Sequence, residues 1–294
     1  MKNVITDPKF GYKRIDPIPS VEEVEKYYKE DFYSEINPEF NDSSIETQLS
    51  DKYFFNSRWE RIRQISELQL NDLSNKNLYD IGFGYAQALD YFHKLGMKCS
   101  GIEPSEEGVQ YAKNIGLDNV KLAGIEDDES YKTDAKQDLV LLINVLEHLR
   151  TPFDTLVNVR NHLIAESGVL VIDVPNEFND FQTVANKEYE LNEWWITPPK
   201  HINYFTRKSL THLLDMAGFD VFYAEASFPM EMFLLFGDQY VNNERLGSEC
   251  HKKRVNFEML MRKHGFDEKL NSLYQHLAEI ELGRQITVYA KPKN

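Results

Sequence analysis

Short apolar segments alternate with amphipathic ones through the middle of the chain. From residue 77 onward, runs that are apolar on both faces are separated by segments whose apolar residues recur every three or four positions. Strands of this kind, alternating with helices, are typical of a parallel sheet covered on both sides. The predicted strands are NLYDI (77–81), KCSGIE (98–103), NVKLA (119–123), DLVLLINV (138–145) and GVLVIDV (168–174), with helices near 86–95, 105–115 and 152–165.

The chain on either side of this alternation follows other patterns. The first 50 residues are polar and irregular, apart from PSVEEVEKYY, where Ser20 and Glu23 form a capping box at the start of a helix. A second amphipathic helix is expected over 51–70, and the aromatic segment 175–206 is expected to be a loop over the site. Further predicted elements are a helix over 207–217, a strand over 219–226, helical segments within 230–282 and the strand RQITVYAK at 284–291.

These elements together predict an α/β fold of the Rossmann-like, doubly wound kind. It has a seven-stranded, mostly parallel sheet with an antiparallel C-terminal strand, a helical N-terminal cap and a C-terminal helical insertion. The predicted domains are the cap at 1–74, a ligand-binding core at 75–229, the helical insertion at 230–283, which serves as a substrate wall or a dimer contact, and the final strand of the core sheet at 284–294.

Composition and charge narrow the class of partner. The 294 residues carry a net charge of −15, which argues against a nucleic-acid partner because phosphate binding needs clustered Lys and Arg. No segment approaches the roughly 20 consecutive apolar residues that span a bilayer, and the start has no apolar signal-peptide core, so we expect a cytoplasmic protein. With two cysteines and scattered histidines, no metal site is predicted.

A glycine turn follows the first predicted strand, in the sequence DIGFGYA (80–86). Ligands of open parallel sheets bind beyond the carboxyl ends of the strands, where Glu103 at the end of the second strand can accept from two ribose hydroxyls. The glycine turn and Glu103 together fit either a nicotinamide enzyme or a methyltransferase. However, Gln87 stands where a dinucleotide fingerprint needs its third glycine, and no Gly-Lys-Ser/Thr of a P-loop follows. The leading Asp80 would repel a phosphate and favour a cation.

Five motifs in succession resemble those of one known family. DIGFGYA is followed by GIEPS at 101–105, AGIED at 123–127, NVLEHLRTP at 144–152 and SGVLVIDVPN at 167–176. In this order they resemble the motifs of class I S-adenosylmethionine-dependent methyltransferases, across roughly residues 75–225. The subgroup that looks most similar carries an Asn/Asp-x-x-Glu-His segment after the fourth strand and includes small-molecule, quinone and sugar methyltransferases.

The resemblance implies a role for each matching position. S-adenosylmethionine would be the methyl donor and S-adenosylhomocysteine the product. Gly82 and Gly84 would pass close to the methionine part of the donor, and Asp80 would hold its amino group. The other implied contacts are Glu103 with the ribose hydroxyls, Ile125 (through its backbone) and Glu126 with the adenine, and the backbone carbonyl of Asn144 with the methionine amino group. Two positions depart from the family: Ala86 replaces the usual third glycine, and Gly124 stands where an acidic adenine partner is common.

Simpler structural roles compete with these assignments. Asp80 and Glu103 could cap helices, Glu126 could belong to a solvated acidic loop, and Asn144 could be only a turn residue. Arg58 or Arg61 in the second helix could pair with the donor carboxylate or simply face water. The sequence alone leaves these alternatives open.

The candidate catalytic residues are two histidines. His148 follows the fourth strand on the substrate side of the cleft, and the ordinary pKa of histidine suits proton removal from an acceptor at neutral pH. His201, in PPKHINYF, follows the segment predicted to cover the site and could meet His148 across the acceptor. A structural histidine is the alternative for both.

The sequence therefore predicts an enzyme that methylates a small acceptor. The favoured acceptor is a hydroxyl of a sugar, a nucleotide-linked sugar or a related metabolite of surface-glycan synthesis. C- or N-methylation of another metabolite, a NAD-dependent oxidoreductase and a donor-binding scaffold without turnover are the alternatives. The expected partner is a small molecule rather than a nucleic acid or a membrane, and a homodimer is left open.

Overall fold

The computed structural model describes residues 3–27 and 52–293, which form two compact units. The first, here called the sheet unit, contains the described residues from 52 to 173, Thr211–Tyr223 and the residues from Val288 onward. The second, here called the accessory unit, contains the described N-terminal residues, Val174–Leu210 and Ala224–Thr287. Part of the predicted N-terminal cap, residues 28–51, lies outside the described residues. The division into four domains stays a prediction.

The strands of the described residues belong to two sheets. A small sheet contains β1 (Asn3–Thr6), β2 (Lys13–Asp16) and β8 (Asn203–Tyr204). The large sheet contains β3 (Asn77–Ile81), β4 (Lys98–Glu103), β5 (Val120–Leu122), β6 (Gln137–Ile143), β7 (Ile164–Pro175), β9 (Phe219–Ala226) and β10 (Gln285–Pro292).

The seven-stranded large sheet is mostly parallel, with antiparallel pairing at its C-terminal strands. Its strand order, β5-β4-β3-β6-β7-β10-β9, reverses direction beside β3, which leads into the glycine turn. The predicted α/β fold class is therefore confirmed.

Helices cover the sheet and continue the chain on both sides of it. They are α1 (Val21–Tyr27), α2 (Lys52–Leu70), α3 (Gln87–Lys94), α4 (Glu106–Asn114), α5 (Pro152–Asn158), α6 (Asp180–Tyr189), α7 (Arg207–Met216), α8 (Glu231–Leu235), α9 (Glu244–Lys263) and α10 (Asp267–Glu279). Short 3₁₀ turns occur at Asp128–Tyr131 and Leu146–His148, and a π turn at Val159–Leu163 follows α5. None of the helices in the described ranges is long and apolar enough to cross a membrane.

The core of the sheet unit follows from strands that are apolar on both faces. Leu78 of β3, Leu139 of β6 and Val169 of β7 are fully buried neighbours, and Leu89 and Phe92 of α3 pack into the same cluster. Burial of such side chains contributes about 1.5–3 kcal/mol each, so this cluster fixes the register of the central strands. That register aligns the carboxyl ends of β3, β4, β6 and β7 at one edge of the sheet.

The N-terminal residues contain strands that the sequence analysis describes as irregular. β1 pairs antiparallel with β2, and β2 pairs with β8, giving a three-stranded sheet in the accessory unit. The pattern does not reveal these strands because each has only two to four residues and the β2–β8 pairing joins distant parts of the chain. The predicted capping box is confirmed: the Glu23 amide donates to Ser20 Oγ (3.1 Å) and the Ser20 amide to Glu23 Oε2 (2.8 Å).

Segment 175–206 is not the simple loop that the sequence analysis expects. It contains α6, whose first turn is capped by Asn179: its Oδ1 accepts from the backbone amide of Gln182 at 3.0 Å. The later residues of the segment pack as a small core, in which Trp195 and Tyr204 are buried against Ile15. The proline and aromatic content conceals this order, because the helical stretch that follows Asn179 is polar on most of its surface.

Candidate functional site

The glycine turn leaves β3 and enters α3 at the aligned edge of the sheet. Gly82 has a φ of 71°, and a Cβ atom there would lie 2.7 Å from Val145 Cγ2 and 3.3 Å from Ile125 Cδ1. Its amide donates to the carbonyl of Ile102 in β4 at 2.8 Å. Ala86, at the end of the turn, is also left-handed, with a φ of 55° and a fully buried side chain. The turn is therefore tightly packed, and only a residue without a side chain fits at position 82.

Glu103, at the end of β4, holds this turn in place. Its Oε2 accepts from the amide of Gly84 at 2.8 Å and its Oε1 from the amide of Ser105 at 3.0 Å. The side chain is buried, with 4% exposure. A carboxylate offers about four lone-pair positions, so each of its oxygens can accept more than one hydrogen bond. The predicted neighbourhood of the turn and Glu103 is thus present in the structure.

Asp80 is a buried carboxylate at the head of the turn. It is 2% exposed, and its Oδ1 has no hydrogen-bond partner among the described residues. Burial and, next, the charge of Glu103 raise the pKa of Asp80, the charge of Arg58 lowers it, and the net pKa is about 8. A buried acceptor without a donor is costly, which makes this oxygen a candidate contact for a positively charged ligand group.

Arg58 of α2 is the cation near Asp80. Its Nη2 lies 2.9 Å from Asp173 Oδ1, and about a quarter of its side chain is exposed. Arg61, one turn along the helix, instead donates to Tyr223 Oη at 2.5 Å and lies over that ring. Arg58 and Arg61 therefore have different partners, although the sequence gives both the same candidate role. Asp173, an acidic residue near the end of an apolar strand, is a neighbour that the sequence analysis misses.

Asn144 lies at the same edge, directly after β6. Its φ is 55°, and its amide donates to the carbonyl of Asp173 at 2.8 Å. Asparagine tolerates this left-handed conformation better than most residues, which explains its place in the turn. The backbone here is held in a costly conformation by its neighbours, as is common where a ligand is bound.

Ile125 and Glu126 lie in the segment after β5. The Ile125 side chain approaches the glycine turn, as its 3.3 Å distance from a Cβ at position 82 shows, and its carbonyl accepts from the Tyr131 hydroxyl. Glu126 is exposed, and its Oε1 accepts from the amide and hydroxyl of Thr151 at 2.6 and 2.7 Å. Glu126 thus anchors the segment to the start of α5, and its contact with an adenine stays a prediction.

The two candidate catalytic histidines belong to different units. His148 ends a 3₁₀ turn in the sheet unit; its side chain is 12% exposed, and Nε2 lies 3.5 Å from Oε1 of the buried Glu147. His201 lies in the accessory unit just before β8, where its amide donates to the carbonyl of Thr197 and its carbonyl accepts from the Tyr204 hydroxyl. The roles of both histidines stay predictions.

Gly108 in α4 is a second close approach that the sequence analysis misses, although a glycine within a predicted helix is a signal. A Cβ there would lie 2.6 Å from the Gly84 carbonyl oxygen and 3.0 Å from Glu103 Cγ. Gly108→Ala is therefore expected to destabilise the protein by about 1–3 kcal/mol, because the backbone of the turn must move. Urea unfolding measures this change.

Gly247, the fourth residue of α9, is the matched control for that substitution. Nothing lies within 4 Å of a Cβ at this position. Gly247→Ala should therefore stabilise the protein by up to about 1 kcal/mol, the usual gain of alanine over glycine in a helix. Equal effects of the two substitutions would contradict the close approach of Gly108 to the turn.

Known proteins share this arrangement at the level of the fold. The plantazolicin methyltransferase BpumL, solved with SAH, superposes with a TM-score of 0.55 at 16% identity, over 92% of this chain and 95% of that one. A SAM-dependent methyltransferase from Archaeoglobus fulgidus gives 0.51 at 19% identity, over 81% and 93%. The plantazolicin methyltransferase BamL gives 0.54 at 13% identity, over 92% and 94%. No curated protein matches the sequence.

A family model described as a methyltransferase domain matches residues 54–224, more than half of the chain. The chain therefore belongs to the methyltransferase-domain family. This confirms the predicted enzyme class, an S-adenosylmethionine-dependent methyltransferase, with S-adenosylmethionine as its cofactor.

Proposed function

We propose that the protein transfers the methyl group of S-adenosylmethionine to a small acceptor, most simply a hydroxyl of a sugar, a nucleotide-linked sugar or a related metabolite of surface-glycan synthesis. The observation that carries the proposal is Asp80: a buried carboxylate oxygen without a donor among the described residues, next to the glycine turn that Glu103 holds. The resemblance to a subgroup that includes sugar methyltransferases supports the choice of acceptor, and the net charge of −15 supports a small molecule over a polyanion.

The residues present fit the donor. The unpartnered Asp80 Oδ1 would accept from its amino group, and Glu103, which already accepts from the amides of Gly84 and Ser105, would also accept from the ribose hydroxyls. The charge of Arg58, and not that of Arg61, lowers the pKa of Asp80. Arg58 would therefore pair with the donor carboxylate. S-adenosylmethionine supplies an electrophilic methyl group whose sulfonium leaving group needs no proton.

The remaining work of the protein is to position the acceptor and to remove its proton. Holding the acceptor oxygen about 3–3.5 Å from the methyl group, in line and away from water, can supply much of the rate. A hydroxyl acceptor also needs a base. His148, in the sheet unit beside the buried Glu147, is assigned this role, and His201 is the second candidate.

An N-methyltransferase is the second candidate function. It is an alternative that the sequence leaves open beside O-methylation. Incubation with an extract of small metabolites, followed by mass spectrometry of the methylated product, would distinguish O- from N-methylation.

The donor is tested by calorimetric titration with S-adenosylhomocysteine and, in parallel, with NAD. We expect S-adenosylhomocysteine to bind with a micromolar or lower dissociation constant, which corresponds to about −8 kcal/mol, and NAD not to bind. Binding of NAD alone would overturn the proposal. Donor binding without any S-adenosylhomocysteine release in metabolite extracts would point to a scaffold without turnover.

A further inference from the structure

A group of buried charged and polar side chains meets around Arg284 in the accessory unit. Arg284 Nη1 lies 3.1 Å from Glu231 Oε1, at the start of α8, and 3.8 Å from Glu177 Oε1, just after β7. Gln182 Nε2, from α6, donates to the same Glu231 oxygen at 3.3 Å. These four residues, here called the Arg284 cluster, come from four separate segments, and the proposed donor site uses none of them.

Three acceptor oxygens of the Arg284 cluster have no hydrogen-bond partner among the described residues. They are Glu177 Oε2, Gln182 Oε1 and Glu231 Oε2, on side chains whose residues are 2%, 0% and 0% exposed. The orientation of the Gln182 amide is fixed, since only its nitrogen can donate to the Glu231 carboxylate. Buried acceptors without donors are rare in native proteins, and three in one cluster indicate a missing donor group.

The segments that carry the cluster are held firmly. Asn176 Nδ2 donates to the carbonyls of Glu281 and Gly283 at 2.9 and 3.0 Å, and its amide donates to the Arg284 carbonyl at 3.0 Å. The strand end that carries Glu177 is thereby tied to the segment that carries Arg284. The cluster is pre-organised, and its oxygens cannot easily turn to other partners.

The cluster carries an excess of negative charge and reaches solvent. Two carboxylates surround one guanidinium, which leaves a formal charge of −1 when both are ionised. Burial raises the pKa of Glu177, the charge of Arg284 lowers it and the charge of Glu231 raises it, and the net pKa is about 7. A third of the Arg284 side chain is exposed. Burial of the rest lowers the pKa of Arg284, but the charges of Glu231 and Glu177 raise it, and the pKa lies above its ordinary value.

We propose that the Arg284 cluster binds the primary ammonium group of a small molecule. An ammonium has three N–H donors for the three unpartnered oxygens, and its single positive charge neutralises the cluster. A divalent metal ion fits less well, because its two positive charges exceed the formal charge of −1 of the cluster and are repelled by Arg284 twice as strongly as a single charge. The proposal concerns ammonium binding within the accessory unit and does not rest on the proposed function.

The test compares ethanolamine hydrochloride with ethylene glycol, which lacks only the charged group. Both are titrated calorimetrically into the full-length protein at pH 8. We expect ethanolamine to bind and ethylene glycol not to bind. Glu231→Gln and Gln182→Leu, which each remove one free oxygen, should weaken ethanolamine binding at least tenfold. The control Glu279→Gln, on the exposed surface of α10, should bind ethanolamine as the unmodified protein does.

A pH series separates binding in the cluster from a general loss of structure. Because the pKa of Glu177 is about 7, ethanolamine should bind more tightly as pH rises from 6 to 8 and Glu177 ionises beside Glu231 and Arg284. Tyr204 and Tyr240, which also face these groups, stay protonated because their pKa values are raised well above the ordinary value. Glu177→Gln should abolish this pH dependence and keep the same melting temperature within a few degrees.

Three results would overturn the proposal. They are the absence of ethanolamine binding at every pH, unchanged binding in Glu231→Gln and Gln182→Leu, or a soaked crystal that shows only water or a metal ion within the cluster. Titration of S-adenosylhomocysteine into the same samples keeps the outcomes distinct. If ethanolamine binds and S-adenosylhomocysteine does not, the proposed function fails and the ammonium site stands.

Discussion

Asp80→Asn is expected to weaken the binding of S-adenosylhomocysteine about a hundredfold and, at the same time, to stabilise the free protein at pH 8. The loss of affinity follows because a buried carboxylate that pairs with an ammonium group is replaced by a neutral amide, a change that costs about 2–5 kcal/mol in comparable buried pairs. Calorimetric titration of both proteins measures it.

The gain in stability follows from the raised pKa of Asp80. In the folded state this pKa is about 8, against an ordinary value of 3.8, so the stability that protonation of Asp80 contributes is fully present below about pH 4 and is lost as pH rises to 8. The Asp80→Asn variant has no carboxyl group at this position, so it does not lose stability in this way. Its advantage, measured by urea unfolding, should grow from pH 4 to pH 8 and reach a few kcal/mol, since a tenfold difference in proton affinity between the folded and unfolded states corresponds to about 1.4 kcal/mol.

Asp90→Asn, on the surface of α3, is the control for both effects. Asp90 forms an exposed ion pair with Lys94, and such pairs contribute about 0–1 kcal/mol. Its replacement should leave donor affinity unchanged at each pH. An Asp80→Asn protein that binds S-adenosylhomocysteine as tightly as the unmodified protein would remove Asp80 from the donor site.

His148→Gln is expected to lower turnover at least a hundredfold and to leave donor affinity nearly unchanged. General-base removal of the acceptor proton is worth about 10²–10⁴-fold, and glutamine keeps the size and hydrogen-bonding capacity of the side chain but cannot take up a proton. The measurement is the initial rate of S-adenosylhomocysteine release at saturating donor, together with a donor titration.

His162→Gln provides the comparison for that variant. His162 lies exposed in the π turn after α5, away from the aligned strand ends, so its replacement should not change turnover. If His148→Gln turns over at the rate of the unmodified protein, His148 is structural, and His201 becomes the first candidate for the base.

The sequence predicts the sheet well because its strands depend on local apolar runs. β3 and β4 have the predicted ends, Asn77–Ile81 and Lys98–Glu103, and the aligned register places Asp80, Glu103 and Asn144 at one edge of the sheet. Short strands that depend on pairing with a distant segment are harder to predict. β2 and β8 pair across nearly 200 residues, and no periodicity within a segment of four residues can reveal such a partner.

The candidate site divides in the same way. A motif fixes where the glycine turn and Glu103 lie, but the ion pair of Arg58 with Asp173 and the close approach of Gly108 to Gly84 depend on how separate helices pack. Those contacts join residues far apart in the sequence. The Arg284 cluster is a stronger example. In the sequence its members resemble ordinary polar surface residues, and only the fold brings the four segments that carry them together.

If Glu103 binds the donor as proposed, the two backbone hydrogen bonds that it accepts couple folding and recognition in one side chain. An alanine at this position would remove the carboxylate from any sugar hydroxyls and would also leave the amides of Gly84 and Ser105 without their acceptor. The affinity lost on replacing Glu103 by alanine would therefore overestimate the contribution of the ribose hydroxyls to the binding free energy. Removing the hydroxyls from the nucleoside instead, with deoxy analogues of the ligand, measures that contribution without disturbing the scaffold.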